Sequence, residues 1–142
     1  MLALDRLVRA SVVRGSAPSF ACDGAYVESS SGLKFCDVVV GEGASPGANT
    51  QIEAHYTGRL ENGSVFDSSY ERGSPLKFKA SQVIKGWGIG ILGDGESVPA
   101  MKAGGRRKLV IPADLGYGAR GAGGVIPGGA TLYFDVELVR VL

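Results

Sequence analysis

The sequence predicts an α+β domain, a bent antiparallel β-sheet wrapped around one short α-helix. Three observations carry that expectation. Several short runs alternate apolar and polar residues with the period of two that marks a half-buried strand. Asn62-Gly63 stands between two such runs, and Asn-Gly is the strongest short hairpin signal because both turn positions take positive φ. Only the stretch from Ser81 to Leu92 sets apolar residues at helical spacing.

Bulk properties narrow the field. The 142 residues suit one domain, and 44% hydrophobic residues suffice for a core. Fifteen basic and 14 acidic side chains leave a net charge of +1, which argues against nucleic acid or an anionic membrane as partner. No apolar run approaches the length of a membrane span. The 23 glycines have no fixed period and fall between strand-like runs, as tight turns would require. One histidine, His55, and no C-x-x-C argue against a zinc site. Cys22 and Cys36 are either two unrelated thiols or the ends of a disulfide closing a loop of about 15 residues.

Residues 1–21 carry three arginines and one acid without strand rhythm, and read as a transit-sequence remnant or a flexible tail. Asp23–Ser31 is polar and expected to be loop. Residues 1–31 are thus assigned to an N-terminal extension and 32–142 to the domain. Strands are expected at Leu33–Val40, Gln51–Leu60, Val65-Phe66, Leu76–Ala80, Arg107–Ile111 and Ala130–Leu142. In Gln51–Leu60, Ile52, Ala54 and Tyr56 alternate with Gln51, Glu53, His55 and Thr57; near the end Leu132, Phe134, Val136 and Leu138 share one face. The helix is expected to start at Ser81, a permitted N-cap, with Val83, Ile84, Trp87 and Ile91 on one face. Its glycines at 86, 88 and 90 make it weak on its own, so it needs packing against a sheet. Gly93–Gly105 is expected to be a surface loop.

Gly88-Ile-Gly90-Ile-Leu-Gly93 is a literal G-x-G-x-x-G. A dinucleotide cradle would need a helix opening at the last glycine. Instead Pro99 and Gly104-Gly105 follow, which break or weaken any crossover helix. A nucleotide-binding oxidoreductase is therefore set aside. Small residues around a lone Trp87 point instead to an apolar pocket floored by its indole.

Six blocks in order then match one family. They are His55-Tyr-Thr-Gly58, Glu61 to Ser69, Val83-Ile-Lys-Gly-Trp87, Leu115-Gly-Tyr-Gly118, Val125-Ile-Pro127 and Ala130 to Leu138. From Leu33 to Leu142 the chain resembles the FKBP-type peptidyl-prolyl cis/trans isomerases, the macrolide-binding immunophilins. The resemblance implies a five- to six-stranded sheet on one helix, proline-containing peptides and protein clients as partners, macrolide inhibitors, a monomer, and no cofactor or metal. It implies Trp87 as pocket floor, Tyr56, Phe66 and Phe134 as walls, and Val83 and Ile84 as rim, with Ile84 offering its N–H. Val125 and Ile126 would lie on the loop above. Asp67 and Tyr117 would be the polar pair facing ligand carbonyls, Arg72 the partner of Asp67, and Gln82 the source of a backbone carbonyl. His55 is read as structural.

Leu76, Ala122 and Gly128 depart from the family's usual aromatic, larger ring and second proline, which implies a thinner wall and weaker macrolide binding. Ser31 to Asp37, Gly73 to Leu76 and Arg120 to Gly123 are most similar to the chloroplast thylakoid-lumen branch. That branch implies a Cys22–Cys36 disulfide; a cytoplasmic location is the alternative. The competing function is a proline-binding or chaperone module of the same fold with little turnover.

Overall fold

The computed structural model describes residue 22 and residues 25–142; the expected transit remnant or tail at 1–21, and residues 23 and 24, lie outside the described residues. The strands are β1 (Val27–Glu28), β2 (Lys34–Val39), β3 (Gln51–Arg59), β4 (Val65–Ser68), β5 (Leu76–Lys79), β6 (Arg106–Ile111) and β7 (Leu132–Val141). A single turn of helix, α1 (Ser69–Arg72), follows β4, and α2 (Lys85–Leu92) lies between β5 and β6. All pairings are antiparallel, in the order β1-β2-β6-β7-β3-β4, with β5 added beside β3. No helix of the described residues is long and apolar enough to cross a membrane.

The alternation read from the sequence sets the two faces. Ile52, Ala54 and Tyr56 of β3 and Leu132, Phe134, Val136 and Leu138 of β7 all point into the core. β3 and β7 pair over most of their length, Tyr56 opposite Val136 and Gly58 opposite Phe134. The hairpin at Asn62-Gly63 forms, with Gly63 at φ 88° and the Asn62 side chain accepting from Ser64 N–H at 2.9 Å.

The structure bears out the bent antiparallel sheet on one short helix and the Cys22–Cys36 pair, and it changes some local readings. The sheet has a seventh strand, because Val27 and Glu28 pair with Phe35 and Lys34. That strand lies within the segment assigned to the extension and expected to be loop. Cys22 is bonded to Cys36 of β2 across 14 positions, with Cα atoms 6.2 Å apart, which fastens the chain ahead of β1 to the sheet. The helix begins at Lys85, not Ser81. Ala80–Gln82 is a 3-10 turn and Val83 is extended at φ −119°, ψ 179°, so the chain breaks before α2 starts after Ile84. The Ser81 hydroxyl donates to Asn49 Oδ1 at 3.3 Å instead of capping.

The stretch Gly93–Gly105 is not a plain surface loop. Val98 and Met101 are buried in the core. Asp94 closes a tight turn by accepting from the N–H groups of Glu96 and Val98 at 2.8 and 2.9 Å, and Met101 N–H donates to Ile91 O at the end of α2 at 2.8 Å. Arg107, itself buried, donates to Gly90 O and Pro99 O at 2.8 and 2.7 Å and holds Asp37 at 2.6 Å. A guanidinium on the last turn of a helix also meets the negative end of its dipole.

Two glycines set how closely α2 lies on the sheet. A Cβ on Gly86 would sit 2.6 to 2.8 Å from three atoms of Ile111, and one on Gly90 would sit 2.7 Å from Leu109. Glycine costs a helix about 1 kcal/mol relative to alanine, and here contact with a β-branched, fully buried neighbour outweighs it. Gly86→Ala is expected to destabilise the fold by about 1–3 kcal/mol despite its better helix propensity. Urea unfolding reads the sign directly; a gain in stability would show that the helix does not ride this close.

Candidate functional site

β3, β4, β7 and α2 converge on one aromatic cluster. Trp87 stands edge-on to Tyr56 and to Phe134, with ring centroids 5.1 and 5.3 Å apart. Phe66 stands edge-on to Phe134 at 5.6 Å, and Phe78 of β5 closes the other side of Trp87 at 5.3 Å. Edge-to-face pairs of this kind gain from the ring quadrupoles as well as from burial. Gly58 makes the arrangement possible, since a Cβ there would lie 2.7 Å from Phe134 and as close to Phe66. It also sits at a bulge in the β3–β4 register, opposite Asp67, where a bulge re-aims the neighbouring side chains. Phe78 and Gly58 were not singled out in the sequence; only the β5 alternation and the His55 to Gly58 block hinted at them.

A polar network flanks the cluster. Asp67 is buried. Its Oδ1 accepts from Arg72 Nη1 at 2.6 Å and from Ser68 N–H at 2.9 Å. Its Oδ2 accepts from the Tyr56 hydroxyl at 2.6 Å. Arg72 Nη2 also donates to the Tyr56 oxygen at 2.9 Å, and its guanidinium lies 5.5 Å from the Tyr56 ring centroid. The expected Arg72–Asp67 pair is therefore present. Asp67 fixes the orientation of Tyr56 and Arg72.

Ile84 precedes the first turn of α2 and its carbonyl accepts from Trp87 N–H at 3.0 Å. Ile84 is fully buried and Val83 nearly so. Tyr117, Val125 and Ile126 lie on a loop that packs on the same core, Ile126 buried and the other two half-buried. A bridge between Ala122 and Ile126 shapes that loop; a Cβ on Gly121 would overlap the Ile126 carbonyl, and Gly118, Gly121, Gly123 and Gly124 all have positive φ. Leu76 on β5 is half-buried at the edge of the cluster. Gln82 is exposed, and its side chain accepts from Lys79 N–H at 3.3 Å. His55 stacks on Tyr70 at 4.5 Å and hydrogen-bonds Ser69 at 2.8 Å, away from the cluster.

One expectation meets a different geometry. The indole of Trp87 is 0% exposed. None of four surface concavities is lined by Trp87, Tyr56, Phe66 or Asp67. One of about 370 Å³ touches Phe134 and Leu109 and otherwise gathers residues around Asp135, whose charge Arg59 and Lys108 already neutralise at 2.9 and 2.7 Å. Among the described residues the aromatic cup is thus closed, with Trp87, Tyr56, Phe66 and Phe134 all buried. Inside it, Trp87 Nε1 is buried without a hydrogen-bond partner, which costs about 1–3 kcal/mol for a neutral donor.

Residues 42–139 match the model of the FKBP-type peptidyl-prolyl cis-trans isomerases; the chain belongs to that family. It is 48% identical over 134 residues to peptidyl-prolyl cis-trans isomerase FKBP13, chloroplastic, of Arabidopsis thaliana, covering 89% of this chain and 63% of that one. It is 52% identical over 107 residues to the FK506-binding protein of Neisseria meningitidis, covering 74% of this chain and 92% of the relative. The crystal structure of AtFKBP13 superposes with a TM-score of 0.79 at 48% identity, covering 84% of this chain and all of that one.

Burial, and then Asp67, raise the Tyr56 phenol well above its ordinary value of 10.0. Burial, and then the hydrogen bond to Glu137, do the same for Tyr70. A phenol held neutral by the fold adds stability that is complete below about pH 10 and is lost as pH rises through the raised folded value. Unfolding free energy is therefore expected to fall above pH 10, and Tyr56→Phe to flatten part of that slope. Ultraviolet titration of the folded protein should leave Tyr56 and Tyr70 protonated where an exposed phenol has ionised. Ordinary titration of all five tyrosines would contradict the network.

Proposed function

We propose that this chain catalyses rotation about X-Pro peptide bonds of protein clients at the cluster around Trp87, and that it assists their folding. The observation that carries the reading is an enclosed aromatic cluster with a fully paired carboxylate fixed at its side. Rotation about a peptide bond meets a barrier of about 18–20 kcal/mol, because resonance holds the amide planar and places charge on the carbonyl oxygen. Water stabilises that charge-separated planar form. Enclosure among rings removes the water, so the twisted and less polar amide is the better guest. X-Pro bonds suit such a site because their cis form costs only about 0.5–1 kcal/mol. No covalent bond is made or broken, and no nucleophile or cofactor is needed.

In this reading Trp87, Tyr56, Phe66, Ile84 and Phe134 strip and shape the prolyl ring. Tyr117 and the Ile84 N–H hold the flanking carbonyls, and Asp67 with Arg72 supplies a fixed local field. Val83, Leu76, Val125 and Ile126 form the rim, and Gln82 contributes a backbone carbonyl beside it. Because the indole is closed off, a prolyl ring reaches it only when the groups packed around it move apart. The same closure favours one second reading, a proline-binding module with little turnover.

Macrolides of the type named in the Neisseria relative are proposed to compete for the same site. The functional unit is proposed to be residues 32–142, acting as a monomer. The proposed compartment is the chloroplast lumen. The Cys22–Cys36 bond supports it, since disulfides persist in oxidising compartments, as does the likeness to a chloroplastic protein.

Removing the Phe66 ring is expected to lower kcat/KM on a Leu-Pro peptide by at least about tenfold, some 1.4 kcal/mol of transition-state stabilisation. Asp67→Ala should lower it less. Far-ultraviolet circular dichroism checks that Phe66→Ala remains folded. Unchanged turnover in folded Phe66→Ala would place the chemistry elsewhere, and no turnover in the unaltered protein would favour the binding module.

A further inference from the structure

α2 carries almost no polar side chain. Within Lys85–Leu92 the only charge is Lys85, so the face turned away from the sheet is apolar too. A helix apolar on all sides is normally covered on all sides. Here Ile89 and Leu92 are only half-buried, and with Ala80, Val83, Lys85 and Gly88 they line an open groove of about 370 Å³.

Gly88 gives the groove its depth, and nothing in the fold requires it. Gly86 and Gly90 are held to glycine by Ile111 and Leu109. At Gly88 the nearest atom to an added Cβ is Ala80 O, at 3.4 Å, an ordinary contact, and its φ is not positive. Glycine therefore weakens the helix at a position where alanine would fit. Val83, which the isomerase reading places at the rim of the site, also lines the groove, so the two share one wall residue.

Resting on the isomerase reading, we infer that this groove is an extended subsite for an apolar segment of a non-native protein client, flanking the prolyl bond held at Trp87. α2 is about 12 Å long, room for roughly three or four residues of extended chain. One cation and no acid line it, so the segment it takes is apolar and neutral or acidic, not basic. Such segments are exposed in unfolded chains and hidden in folded ones, so the subsite selects clients by folding state.

Two peptides with the same Leu-Pro core test this, one flanked on both sides by leucines and one by serines, with exchange followed by NMR. The unaltered protein should turn over the leucine-flanked peptide with a kcat/KM higher by roughly tenfold, the effect of about half-burying one leucyl side chain. Ile89→Glu and Gly88→Gln should each bring that ratio close to one while leaving the serine-flanked peptide unaffected, which also reports that both variants are folded. Gly88→Ala should raise Tm by roughly 3–5 °C. Equal turnover of both peptides by the unaltered protein would overturn the subsite alone, as would a ratio retained in both groove variants. No turnover of either peptide would overturn the isomerase reading and this inference together.

Discussion

The closeness of α2 to the sheet governs the rest of the structure. Gly86 and Gly90 stand one turn apart on the helix face that meets Ile111 and Leu109, and neither contact leaves room for a methyl group. That approach carries Trp87, between the two glycines, down among Tyr56, Phe134 and Phe78. Gly58 does the same from the sheet side for Phe66 and Phe134. A helix with this many glycines cannot hold itself. It is held by the sheet beneath it, by Arg107 at its last turn and by Met101 against Ile91. Stability and site geometry are thus set by the same contacts.

Burying charge is costly unless each group is fully paired, and Asp67, Asp135 and Arg107 meet that condition. Asp67 has three donors, Asp135 two cations, and Arg107 a carboxylate and two carbonyls. Beside the cluster this leaves a carboxylate and a cation already paired within the fold, the kind of preorganised arrangement on which the proposed catalysis by solvent exclusion depends. The indole N–H is the contrasting feature, a buried donor left without an acceptor next to that rigid frame.

Much of this was legible in the sequence for physical reasons. β3 and β7 were readable because one face of each is buried, so apolar residues recur with period two. Six ordered blocks carried the aromatic set and Asp67, and the family resemblance implied its pairing with Arg72. β1 was not legible, because two residues have no period and the strand depends on pairing with β2 and on the Cys22 tether. The helix start was misplaced because Ser81 is a plausible cap, whereas the extended backbone at Val83 forces a later start. The anchoring of Gly93–Gly105 depends on long-range bonds from Arg107 and Met101, which leave no local pattern. Residue types predicted that the rings would meet; they could not predict that the rings would close over the indole.

The chain's single tryptophan offers the most direct test of the central claim, that a prolyl ring is received against Trp87. Its emission is followed while an X-Pro peptide is titrated, with the KM of isomerisation measured under the same conditions. The account predicts a saturable change in emission whose midpoint matches that KM and which is absent for a peptide with glycine in place of proline. Turnover that saturates while the emission of Trp87 stays constant would contradict it.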